Sequence, residues 1–278
     1  VVLSGISGAG EAAEIAERIL ASVRRSWGVG GYEFYITASM GVSMYPANGS
    51  HPDDLLRNAD AAMYLAKERG RNRYEFFTSA IAERLVKGVT LERDLRHALD
   101  NGEFVLHYQP QVAIKSGEIV GVEALIRWRT ADGRILPPAS FLPVAEETGL
   151  ILPIGDWVLK TACAQSKAWQ DEGLQPLRMA VNISTRQFLQ PDLPDVVASV
   201  LEDSGLSPDS LELEITETTA MQDEDLARAT LKKLRRLGVH VSLDDFGTGY
   251  SSLSYLKRLP VDCVKIDGSF LRGIKHNN

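Results

Sequence analysis

The sequence predicts an α/β protein in two parts, a small α+β unit followed by a larger one in which strands alternate with helices. Two observations carry this. From Glu103 onward, apolar runs of strand length are separated by stretches whose apolar residues recur every three to four positions. Alternation of this kind implies parallel strands joined by crossover helices, hence an open sheet or a barrel. No G-x-G-x-x-G follows the first of these strands, which weakens a dinucleotide-binding fold.

In chain order, residues 11–25 carry Ile15, Ile19, Leu20 and Val23 at helical spacing, and residues 32–44 alternate as one strand. Pro46-Ala47-Asn48-Gly49-Ser50 supplies turn chemistry. Residues 52–67 return to helical spacing, with Leu55, Leu56, Ala59, Met63 and Ala66 on one face and Gly70 ending the helix. A short strand at 73–77 closes a unit of residues 1–78, small for an independent domain. A charged helix at 79–101, with Leu85, Val89, Leu91, Leu95 and Leu99, reads as the linker to the second unit, 102–278. There, strands at 104–108 and 118–122 flank the turn Lys115-Ser116-Gly117, and helices follow at 141–149 and 155–170. Further strands are predicted at 178–183, 211–215, 239–243 and 262–266.

The composition, 44% hydrophobic and 24% charged, is that of an ordinary globular protein. A net charge of -7 argues against a nucleic-acid polymer as partner, because such binders present a basic surface to replace phosphate counterions. An anionic small ligand stays open if metal ions bring the positive charge. Cys163 and Cys263 lack metal-ligand or CxxC spacing and read as buried thiols of a reducing compartment. No apolar run reaches the ~18–20 residues of a membrane span, and the start is not a signal peptide, so the expectation is cytoplasmic. A start at Val1 without Met and a polar tail suggest a piece of a longer chain, one whose upstream segments can include a membrane anchor.

The chemistry concentrates where the predicted strands end. Glu123, Asn182, Glu214, Asp244-Asp245 and Lys265 each follow an apolar strand, and in a barrel of parallel strands those positions share one rim, where catalytic groups sit. Four carboxylates on one rim repel one another. Hard divalent cations such as Mg²⁺ or Mn²⁺ neutralise them most simply, with Asp245 shared between two ions ~3.5–4 Å apart that activate water on a phosphodiester. Lys265 then orients or deprotonates the water, or offsets phosphate charge. The plainer readings are a helix N-cap or a solvated acid for each carboxylate, and a tight loop for Asp244-Asp245-Phe246-Gly247-Thr248-Gly249. Glu217 either caps a helix or braces the Asp244 loop. The five histidines show no ligand spacing, and Trp128, Trp157 and Trp169 read as packing residues.

Glu123-Ala124-Leu125-Ile126-Arg127-Trp128 resembles the signature that names EAL domains. Tyr108-Gln109-Pro110, Asn182-Ile183-Ser184, Glu214-Ile215-Thr216-Glu217, Asp244-Asp245-Phe246-Gly247-Thr248-Gly249 and Lys265-Ile266-Asp267 follow in that family's order. The resemblance implies a (β/α)8 TIM-like barrel that hydrolyses cyclic-di-GMP to linear pGpG with Mg²⁺ or Mn²⁺, two ions. It implies metal ligands at Glu123, Asn182, Glu214, Asp244 and Asp245, water activation by Lys265, substrate contacts at Gln109, Arg127 and Asp267, and a loop-holding role for Glu217. It also implies a homodimer through the barrel domain and a sensor domain upstream.

Residues 37–43 and 58–72 are similar to the C-terminal part of GGDEF diguanylate cyclase domains, in which Lys67 and Arg71 would contact a nucleotide triphosphate. On the plainer reading both are solvated helix-end cations. The GGDEF hairpin does not occur in this sequence, so the segment is not expected to make cyclic-di-GMP. A complete (β/α)8 barrel takes ~250 residues, more than the chain holds after Glu103, so an incomplete barrel is expected, with the family's further active-site Glu and Gln outside it. Two other functions stay open: a degenerate EAL module that binds cyclic-di-GMP without hydrolysis, and a GTP-binding, cyclase-like regulatory module.

Overall fold

A computed structural model describes residues 1–30, 32–247 and 259–271, in two compact units that divide after Thr90. In the first, helix α1 (Ala9–Val23) buries Ala12, Ala16 and Leu20, a four-residue spacing that keeps one stripe on the core. Strands β1 (Trp27–Val29) and β2 (Tyr32–Phe34) form an antiparallel pair. Strand β3 (Met40–Val42) pairs in parallel with β4 (Tyr74–Phe76), and α2 (Pro52–Glu68) connects them. Pro52 and the acids Asp53 and Asp54 open α2, where a missing N–H and negative charge are both favourable.

Gly41 lets α2 close on the strand. A Cβ there would lie 1.8 Å from the Ala59 carbonyl oxygen, so no other residue fits without moving backbone. The long strand expected over 32–44 is instead two short ones, with Tyr35 and Ile36 exposed between them. Leu56, placed by spacing on the apolar face, is 67% exposed; the buried stripe runs through Ala61, Ala62, Leu65 and Ala66.

Helix α3 (Ser79–Asp100) crosses the division between the units, so the second begins inside the predicted linker helix. Its first two strands, β5 (Phe104–Val112) and β6 (Ile119–Arg129), are an antiparallel hairpin, where the alternation rule had suggested parallel strands throughout. A short loop between two strands permits only antiparallel pairing. Strand β6 runs past its predicted end at Val122, so Glu123 lies within the strand, and β7 (Ile135–Leu136) pairs with its far end.

Beyond a short 3₁₀ turn (Pro138–Ser140) come α4 (Leu142–Thr148) and α5 (Ile151–Asp171), which begins four residues earlier than the spacing suggested. The parallel series follows: β8 (Arg178–Asn182), α6 (Thr185–Phe188), α7 (Leu193–Ser204), β9 (Leu211–Thr216), α8 (Glu217–Gln222), α9 (Glu224–Leu237), β10 (His240–Phe246) and β11 (Cys263–Ile266). The strand order is β11-β10-β9-β8-β6-β5, an open path among the described residues.

Alternation along the strands divides the two faces. Met179, Val181, Leu211, Leu213, Ile215, Val241 and Leu243 join the buried core together with α5, α7 and α9. Phe104, Trp128, Phe141 and Trp157 pack ring to ring with centroids 5.8–6.2 Å apart, and Tyr108 meets Trp169 edge-on at 4.8 Å. Cys163 is buried as expected. Cys263 is exposed, against expectation, because it opens β11 at the end of the strand order. No helix among the described residues is long and apolar enough to cross a membrane.

Candidate active site

Glu123 on β6, Asn182 at the end of β8, Glu214 on β9, Asp244 on β10 and Lys265 on β11 meet on the sheet face opposite the helices. Neighbouring strands are in register there, with Asn182 beside Glu214, Glu214 beside Ser242, and Asp244 beside Thr216. Lys265 Nζ donates to Glu214 Oε2 at 2.6 Å, to Glu123 Oε2 at 3.3 Å and to Asp244 Oδ2 at 3.4 Å. Asn182 Nδ2 donates to Glu123 Oε1 at 2.8 Å.

Burial sets the electrostatics. Glu214 is 1% exposed, and desolvation pushes its pKa up to about 7 against the pull of Lys265, with Glu123 and Asp244 adding to the rise. Burial works against the charge of Lys265 as well. The hydrogen bond and charge of Glu214, helped by Glu123 and Asp244, more than offset it, so Lys265 holds its proton more firmly than an ordinary lysine.

Asp245 lies within electrostatic reach of Asp244 and Lys265. Its backbone is left-handed at φ 54, unusual for a residue with a side chain, and it is exposed. Its pKa is raised by partial burial and by the charges of Asp244 and Asp267, with Lys265 opposing. The next turn is held by Glu217, 2% exposed at the first position of α8, whose Oε2 accepts from the Gly247 N–H at 2.9 Å. Of the two roles open to Glu217, bracing the Asp244 loop is the one this geometry supports. Gly247 has φ 96, and a Cβ on it would lie 2.6 Å from the Phe270 ring. Residues 248 and 249 of the loop motif lie outside the described residues.

The three positions assigned to substrate lie on β5, on β6 and just beyond β11. Gln109 is exposed on β5, opposite Glu123 in the ladder. Arg127 lies further along β6 and donates to the Ile126 carbonyl at 2.8 Å. Asp267 accepts from the Ser269 N–H at 2.9 Å at the start of a 3₁₀ turn (Gly268–Leu271).

Carboxylate and amide oxygens suit a hard divalent cation. Glu214 Oε1 is buried with no hydrogen-bond partner among the described residues, an open acceptor that a cation would satisfy. The acids nonetheless close on the Lys265 ammonium, and no three His, Cys, Asp or Glu side chains among the described residues are grouped to hold an ion. The residues fit a metal in kind, with Lys265 supplying the positive charge in this arrangement.

Two features went unread in the sequence. Lys265 is the hub of the cluster rather than a neighbour of it. Thr185, Thr216 and Thr219 form a hydroxyl network behind it. The Ser184-x-x-Gln187 capping box was visible as a pattern; the threonine contact, 34 residues apart in sequence, had no local signal.

The EAL domain family model matches residues 92–278, and the "Diguanylate cyclase, GGDEF domain" model matches residues 1–73. The "Bifunctional diguanylate cyclase/cyclic di-GMP phosphodiesterase MucR" of Pseudomonas aeruginosa is 44% identical over 268 residues, 96% of this chain and 39% of the relative. The "Cyclic di-GMP phosphodiesterase PdeR" of Escherichia coli K12 is 39% identical over 260 residues, 94% of this chain and 39% of that protein. The chain thus spans about two-fifths of the length of these relatives. Among solved structures, "PaMucR Phosphodiesterase, c-di-GMP complex" aligns with a TM-score of 0.65 at 48% identity, covering 68% of this chain and 76% of that one. The FimX EAL domain from Pseudomonas aeruginosa bound to c-di-GMP aligns at 0.60 and 28% identity, over 66% and 73%.

Proposed function

Because this chain belongs to the EAL domain family, we propose that it works in a cyclic-di-GMP phosphodiesterase, opening the cyclic dinucleotide to linear pGpG. The observation that carries this reading is the convergence of Glu123, Glu214 and Asp244 on Lys265, with Asn182 bonded to Glu123, from five strands onto one face. In the reaction a water oxygen attacks phosphorus, the P–O3′ bond breaks, and the departing 3′ oxygen takes a proton.

Glu123, Asn182, Glu214, Asp244 and Asp245 would hold Mg²⁺ or Mn²⁺, two ions, whose chemistry is to make hydroxide available and to neutralise phosphate charge. Lys265, protonated among three carboxylates, acts as a donor that orients the attacking water and offsets phosphate charge. Action as a base would require those carboxylates to withdraw from it. Gln109, Arg127 and Asp267 flank the cluster as substrate contacts. Glu217 is a positioning residue, fixing the turn after Asp245 through Gly247. The setting in this proposal is the cytoplasm, in a homodimer joined through the barrel with a sensor domain upstream.

A second reading, a receptor that binds cyclic-di-GMP without turnover, is favoured by one observation: Glu123, Glu214 and Asp244 are all engaged by the Lys265 ammonium. Turnover decides between them. The chain carried in its full-length protein, with Mn²⁺, should convert cyclic-di-GMP to pGpG by chromatography, and Asp245→Asn should lower kcat by at least about a hundredfold. Tight binding with no product under Mg²⁺ or Mn²⁺ would establish the receptor reading instead.

A further inference from the structure

The turns after two neighbouring strands are tied together by side-chain hydroxyls. Strand β8 ends at Asn182, and the chain enters α6 through Ser184, whose side chain accepts from the Gln187 N–H at 3.3 Å while Gln187 Oε1 accepts from the Ser184 N–H at 3.2 Å. Strand β9 ends at Thr216, the N-cap of α8, with Glu217 next. Between them, Thr185 Oγ1 and Thr219 Oγ1 share a hydrogen bond of 2.6 Å, and Thr219 Oγ1 lies 2.9 Å from Thr216 Oγ1.

Capping does not explain this. The cap on α8 uses the Thr219 N–H, which donates to Thr216 Oγ1 at 3.2 Å, and any non-proline residue at 219 supplies that donor. The Thr219 hydroxyl is a separate element, 1% exposed, with one proton and two hydroxyl partners, so at least one of the partners donates to it. Removing it takes the 2.6 Å partner from the half-buried Thr185 hydroxyl, while Thr216 keeps the Thr219 N–H.

We propose that Thr219 is a positioning residue that joins the Asn182 turn to the Glu217 brace, so that the Asp244–Asp245 loop is held in register with Asn182. The contacts run from Thr185 to Thr219 to Thr216, then through the adjacent Glu217 to the Gly247 N–H. Outer contacts of this kind set the aim of ligating groups. The inference rests on the phosphodiesterase reading for its purpose, while its geometry stands independently.

The test uses the full chain and reads amide hydrogen exchange at Gly247, together with Mn²⁺ affinity by calorimetry. Thr219→Val keeps the branched shape and removes the hydroxyl. It should speed Gly247 exchange and weaken Mn²⁺ binding about tenfold. Thr219→Ser should restore both, Thr185→Val should loosen Gly247 as Thr219→Val does, and Thr218→Val at the exposed neighbour should change neither. The proposal is overturned if Thr219→Val lowers the melting temperature yet leaves exchange and affinity within about twofold. It is overturned equally if Thr185→Val is silent at Gly247. The exchange measurement needs neither metal nor substrate, so failure of the hydrolysis reading would leave it interpretable.

Discussion

Lys265 is the residue on which the site's metal-free state depends. Glu214 is almost wholly buried, has its pKa already raised by that burial, and takes its shortest bond from Lys265, so Lys265→Ala leaves it either an unpaired buried charge at high pH or a carboxyl that takes up a proton near neutral pH. Breaking a buried pair from one side costs about 3–5 kcal/mol. The variant should melt well below the unaltered chain without metal and recover most of the difference when Mn²⁺ is added, by calorimetric melting; an unchanged melting point would mean that Glu214 does not depend on the lysine. On the phosphodiesterase reading, hydrolysis by the variant should slow while metal binding survives. At this scale the sequence reveals which residue types stand at the strand ends, since Glu123, Asn182, Glu214, Asp244 and Lys265 each follow an apolar run. It does not reveal that Asp245 takes a left-handed backbone, because that depends on the Gly247 turn and its close approach to Phe270.

The elements were legible where a single periodicity governed them. Helix α2 and strands β8 through β10 fall within three residues of their expected bounds, and the strands are buried at consecutive residues, on both faces, which is why they read as continuous apolar runs. Strand β6 outran its prediction because its far end gains β7 as a partner, a pairing that composition does not signal. Two glycines test how tightly elements seat. Gly41→Ala places a methyl against the backbone of α2 at 1.8 Å and should cost at least about 3 kcal/mol. Gly155→Ala meets only the end of the Gln187 side chain, at 2.0 Å, and should cost about 1 kcal/mol through loss of the cap on α6. Urea unfolding of the two variants gives the comparison, and an equal or reversed order would contradict the packing described for α2.

Across the whole molecule, the change from a small α+β unit to an alternating α/β unit could be read from the order of the patterns alone. The antiparallel start of the larger sheet could not, since alternation reports that strands occur but not which way each runs. The thiols offer a check on exposure over the same distance. Cys163 is buried, with its pKa pushed up to about 12 by that burial, while Cys263 is exposed at the outer strand. In the native chain a chromogenic disulfide reagent should therefore modify Cys263 promptly and reach Cys163 only after denaturant is added. Prompt modification of both would show that the α5 face is not packed as described.

The charge cluster on the open face also dictates an order of events. Three carboxylates face a single ammonium there, so the bare site carries excess negative charge and repels a cyclic dinucleotide that bears two phosphates of its own. On the phosphodiesterase reading proposed above, cations would therefore have to arrive first and reverse the local field before the dinucleotide could settle. On that reading the concentration of metal would act as a tuning variable for substrate capture, and a cell that lowers its free divalent ions would leave the messenger standing even with the protein abundant.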